Sequence, residues 1–228
     1  VPVDKQNTYR PIPLALIALV ALFSALAALA VSGGHGAQAH GDAHGKGRIT
    51  AAELELRNDM RKLWEDHVTW TRLAVISLTT GSPDTEATVG RLLANQDDIG
   101  EAVAPFYGRA AGTRLATLLR EHITIAADLI AAAQAGNQAE VVRQQARWAE
   151  NADEIARFLS EANPRWKLGP TREMLHDHLR LTTAEVVARL EGDWAADVAA
   201  YDEIHLQALH MADMLSAGIV AQFPRRFR

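Results

Sequence analysis

EDHVTWT (65–71), REHITIA (120–126) and HDHLRLT (176–182) align on an acid followed by a histidine, and this alignment decides the fold. The histidines are His67, His122 and His178, spaced by 55 and 56 residues, and a glycine stands fourteen residues after each: Gly81, Gly136 and Gly192. Glycine at that place fits the end of a helix, where the chain turns through a left-handed conformation. Leu63, Leu118 and Met174 lie four residues before the histidines, and Trp70, Ile125 and Leu181 three after. At 100° per residue these neighbours bracket each imidazole on the buried stripe, and the acids Asp66, Glu121 and Asp177 fall on its flank.

A second helix follows each glycine. NQDDI (95–99) matches NADEI (151–155), and QALHM (207–211) keeps the apolar frame. Leu92, Ile99 and Val103 correspond to Trp148, Ile155 and Leu159, then to Ile204, Met211 and Leu215. Residues 49–224 therefore read as an all-α, up-down helical bundle of three degenerate hairpin repeats, at about 50–103, 108–160 and 170–223. Trp64, Trp70 and Trp148 are expected in the core. APFYG (104–108) and NPRW (163–166) read as loops between hairpins.

Composition agrees with helices: 48% of the 228 residues are hydrophobic but only 6% aromatic, and alanine is abundant. Absence of cysteine excludes disulfides, thiolate metal sites and cysteine nucleophiles, and a net charge of -5 carries no nucleic-acid footprint.

Ahead of the bundle, IPLALIALVALFSALAALAV (12–31) is uncharged and long enough to span a bilayer as a helix. Lys5 and Arg10 in residues 1–11 precede it, as in a cytoplasmic n-region, and AQA (37–39) offers a signal-cleavage pattern. Either an uncleaved anchor or a cleaved signal puts the bundle outside the cytoplasmic membrane, while Lys46, Arg48 and Arg57 after the run leave the opposite orientation open. The Gly-rich linker 32–48 holds His35, His40 and His44 with Asp42, a set suited to weak capture of Cu(II), Ni(II) or Zn(II).

The core histidines admit two readings. In the first, each neutral imidazole is satisfied inside its own hairpin, by a residue such as Asn95 or Asn151, and fixes register. In the second, a closed bundle brings His67, His122 and His178 to one height. Glu185, seven residues after His178 on the same stripe, would join them around Zn, Cu, Fe or Ni. An open solenoid would instead hold neighbouring histidines about 10 Å apart or more. Asp98, Glu154 and His210 are expected at the stripe margin, and Arg72 is expected to pair with an acid such as Glu154. No HExxH or paired ExxH motif is present, which disfavours the common helical metal enzymes.

The stretches LWEDHVTWTR, EHITIAA, NADEIARFL and QFP resemble a poorly characterised bacterial family of small, membrane-anchored or exported helical proteins. The resemblance covers roughly residues 60–224 and implies an all-helical fold. Carried over by position, it singles out His67, Trp70, Arg72, His122, Asn151, Glu154, His178 and Glu185. His210 stands where the pattern has an acid. Members are sometimes labelled acetylglutamate kinase, but the chain has no Gly-rich phosphate loop and no strand–helix alternation. The expected function is a membrane-tethered binding protein that takes a transition metal through its core histidines and His-rich linker. The alternatives are a structural, sensory or partner-binding module without metal, and a metal-dependent enzyme.

Overall fold

The computed structural model describes residues 48–228. The n-region, the apolar run 12–31 and the linker histidines His35, His40 and His44 lie outside the described residues. Six helices follow one another: α1 (Ala51–Thr80), α2 (Thr85–Tyr107), α3 (Arg109–Gln134), α4 (Gln138–Ala162), α5 (Leu168–Glu191) and α6 (Trp194–Gln222). A single 3-10 turn, Pro224–Phe227, ends the chain, and there is no strand among the described residues.

The sequence sets the helix ends. Thr50, Asn137 and Asp193 cap α1, α4 and α6, each side chain accepting the backbone N–H three residues on. Gly81, Gly136 and Gly192 have φ of 64°, 67° and 76°, and they turn the chain after α1, α3 and α5. A β-carbon is disfavoured in that left-handed region, so the three glycines are required by backbone geometry.

Each helix packs on the next, and α6 returns to pack on α1. The ring is closed, and short connections make neighbours antiparallel. Helix α1 also touches α3 and α5, so the first helices of the three hairpins meet inside the ring. Met60, Ile99, Leu118, Ile155, Leu179, Met211 and Ile219 fill the interior, each at most 1–2% exposed. Burying such a side chain contributes about 1.5–3 kcal/mol, and the core closes within these six helices as in an independent domain.

Two details differ from the sequence reading. Residues 104–107 are the last turn of α2, not a loop, and Pro105 lies inside the helix. Proline here removes only one N–H close to the helix end. Its carbonyl accepts Arg226 Nη1 at 2.8 Å, and Tyr107 is pinned by Gln222 and Asn163, both at 2.9 Å. The α2–α3 connection is then Gly108 alone. The two helices diverge from it at close range: a β-carbon on Gly100 would lie 2.6 Å from the Gly112 carbonyl oxygen. Trp64 and Trp148 are core as expected, whereas Trp70 is half-buried, with the Arg91 guanidinium 5.4 Å above its ring.

Candidate functional site

Helices α1, α3 and α5 carry His67, His122 and His178 into the middle of the bundle, where they are 3%, 5% and 4% exposed. The ring centroids of His67 and His178 are 6.0 Å apart, and those of His122 and His178 are 6.1 Å apart. Apolar packing lies to both sides of this polar layer. On one side is a cavity of about 40 Å³ lined by Ala74, Leu92, Ile123, Trp148 and Val186. On the other is one of about 30 Å³ lined by Met60, Trp64, Leu119, Trp166 and Met174.

An imidazole in such a place is costly unless it is hydrogen-bonded. His122 Nδ1–H donates to Asn151 Oδ1 at 2.9 Å, and His178 Nδ1–H donates to Gln207 Oε1 at 3.0 Å. The same amides donate onward, Asn151 Nδ2 to the Leu118 carbonyl at 3.1 Å and Gln207 Nε2 to the Met174 carbonyl at 2.9 Å. Both carbonyls lie four residues before the histidine, so one amide ties the imidazole and the preceding helical turn together.

In α1–α2 two residues share this task. Asn95 Nδ2 donates to the Leu63 carbonyl at 3.1 Å, and Gln96 Nε2 lies 3.2 Å from His67 Nδ1. Each histidine and its amide partner are separated by 29 residues in sequence. The expected Asn151 partner is found, whereas the role suggested for Asn95 falls to the adjacent Gln96. The partners assign the tautomers: Nδ1–H for His122 and His178, and Nε2–H for His67, whose Nδ1 accepts. No described residue hydrogen-bonds the Nε2 atom of any of the three.

Burial keeps these rings neutral. It lowers His67 and His122 from 6.5 to about 3, reinforced by the neighbouring imidazoles and opposed by the amide hydrogen bonds. His178 is lowered by the same desolvation. Two indoles close the layer: Trp64 meets His67 edge-on at 5.5 Å, and Trp148 lies 5.2 Å from His122. Their Nε1–H groups are buried without a partner among the described residues.

Glu185 has a different partner from the one the sequence reading gave it. It is 1% exposed, and its Oε1 accepts Arg72 Nη1 at 2.7 Å. Arg72 also pairs with Asp197, through a short Nη1 contact and through Nη2 at 2.8 Å. Arg189 Nη1 donates to Asp197 at 2.9 Å. Arg72 was expected near Glu154, but Glu154 lies instead 3.6 Å from Arg114. The reason is topological: ring closure packs α1 on α6 and brings it into contact with α5, whereas Glu154 belongs to α4.

Burial raises the Glu185 carboxyl, although Arg72 works against it. Burial opposes ionisation of Asp197 too, but hydrogen bonds from Arg72 and Arg189 outweigh it and hold that carboxyl low. The Arg72 guanidinium is raised, chiefly by its hydrogen bond to Asp197. Tyr201 and Trp194 stack on Arg72 and Arg189 at 5.3 and 5.4 Å.

Among the described residues, no group of three or more His, Asp or Glu side chains is assembled to hold a metal ion. His210 is exposed on α6, and Asp66, Glu121 and Asp177 lie outside the core as expected. The sequence reading missed Gln96, Asp197 and Arg189. The NQ pair at 95–96 offered a signal for Gln96, but an acid in the first turn of α6 is too ordinary to mark Asp197. Compared with known protein families, characterised proteins and solved structures, the chain matches none.

Proposed function

We propose that this chain is a membrane-tethered helical binding module built from three copies of one hairpin, whose imidazole layer takes a divalent transition metal, Zn, Cu, Fe or Ni. The apolar run 12–31 anchors it with the bundle outside the cytoplasmic membrane, and the linker histidines deliver ions to it.

One observation carries this reading. Each Nδ1 is held by an amide at the same sequence separation, and each Nε2 lacks a partner among the described residues. Metal-binding histidines are typically oriented through the second ring nitrogen in this way, and ligation requires the neutral ring that burial already enforces. Asn151 and Gln207 fit this support role. Gln96 fits it once its amide presents oxygen to His67, an oxygen that is buried and unpartnered. Glu185 is excluded from the ligand set because Arg72 holds it. Binding draws the three rings closer than their present 6.0 and 6.1 Å.

A second reading treats the amide–imidazole bridges as structural ties that fix helix register, with no ion. It is favoured by the onward bonds to Leu63, Leu118 and Met174.

The test is metal titration of the detergent-solubilised full chain and of two triple variants, H67L/H122L/H178L and H35A/H40A/H44A. One metal should raise the melting temperature by roughly 5–10 °C at saturating concentration. The core variant should lose the shift and the linker variant should keep it. If none of the four metals shifts the melting temperature and none co-purifies, the layer is structural.

A further inference from the structure

We propose that the end of the bundle where α1 begins is a docking face for an anionic phospholipid surface. Arg48, Arg109, Arg165, Lys167, Arg225, Arg226 and Arg228 all stand in the segments that make this end, and all are exposed. Those segments, 48–50, 107–109, 163–167 and 223–228, contain no acid. At the opposite end the signs reverse: the connections 81–84, 135–137 and 192–193 carry Asp84 and Asp193 and no lysine or arginine.

Helix dipoles do not explain this polarity. An up-down ring of six helices presents three N-termini and three C-termini at each end, so the macrodipoles balance. Lys167 caps the N-terminus of α5, and Arg109 is the first residue of α3. A cation is disfavoured at both places. Neither helix has the acid in its first turn that would compensate. Salt bridges do not explain it either, because none of the seven cations pairs with an acid among the described residues. Ile49, Leu54 and Leu168 are exposed at the same end, at 60%, 51% and 46%. Cations interspersed with exposed aliphatic side chains match a headgroup layer over acyl chains.

The covalent path agrees with this orientation. Residues 1–47 join the bundle at Arg48, and 16 residues separate it from the apolar run 12–31. In the membrane-tethered reading proposed above, the apolar run therefore leads into this end of the bundle and not into the opposite one. The inference rests on charge placement and is independent of the metal reading.

Residues 48–228 should co-sediment with vesicles containing phosphatidylglycerol but not with pure phosphatidylcholine vesicles, and high salt should release them. The variant R109Q/R165Q/K167Q/R225Q removes four side chains that make no hydrogen bond or ion pair to described residues, so it should keep the circular dichroism spectrum. It should bind at least about tenfold more weakly. Equal binding to both vesicle types, or undiminished binding by the variant, overturns the proposal. Tighter binding of a short DNA duplex than of the anionic vesicles at the same salt would assign the face to nucleic acid instead.

Discussion

Acidification from about pH 6.5 to pH 4.5 is expected to cost the bundle several kcal/mol of stability, on the order of 5 kcal/mol, through the imidazole layer. In the unfolded chain each histidine takes a proton near its ordinary value of 6.5, whereas folded His67 and His122 stay neutral to about 3. Between those values the unfolded state holds more protons, so stability is full above 6.5 and falls as the pH drops. The slope is up to about 1.4 kcal/mol per pH unit for each histidine. His67 and His122 together give about 3 kcal/mol per unit, and His178, lowered likewise, adds in the same direction. Glu185 opposes them, because its raised carboxyl binds its proton more readily in the folded state. It is one group against three. A typical total of about 5–15 kcal/mol does not survive two such units intact. Urea unfolding at a series of pH values measures the slope, and H122L should reduce it by one histidine's share. A wild-type unfolding free energy that is flat from pH 6.5 to 4.5 is incompatible with three buried neutral imidazoles.

Arg72→Leu should be the most damaging single substitution away from that layer. It strands Glu185, 1% exposed, and strips Asp197 of one of its two arginines. Removing one member of a buried ion pair costs about 3–5 kcal/mol, because the other charge stays desolvated. For a bundle of this size the melting temperature should drop by roughly 10 °C or more. The companion variant R72L/E185L removes both charges and leaves Asp197 with Arg189. It should recover most of the loss, since an apolar pair of similar volume often matches a buried ion pair. A loss below about 1 kcal/mol for Arg72→Leu, or no recovery in the double variant, would show that solvent reaches the cluster and screens it.

The helices and the depth of the histidines were legible in the sequence for one reason. Apolar residues at −4 and +3 around His67, His122 and His178 fix which side of a helix faces inward, and the glycines at +14 fix where each helix turns back. Such local periodicity survives packing. The identity of distant partners does not follow from it. Arg72 and Glu185 are 113 residues apart, and their meeting depends on α6 closing the ring against α1. Asn95 and Gln96 differ by one step of 100°, which periodicity does not resolve when both positions are buried. APFYG (104–108) reads as a loop, yet the helix runs on to Tyr107, because a proline so close to its end forfeits a single hydrogen bond.

The most direct test is nitrogen-15 NMR of the imidazole side chains as a function of pH. The account expects His67 and His122 to remain neutral to below pH 5 and His178 to titrate below its ordinary value, with His122 and His178 protonated on Nδ1 and bonded to Asn151 and Gln207. His67 and His122 titrating near 6.5, or His122 and His178 protonated on Nε2, would contradict it.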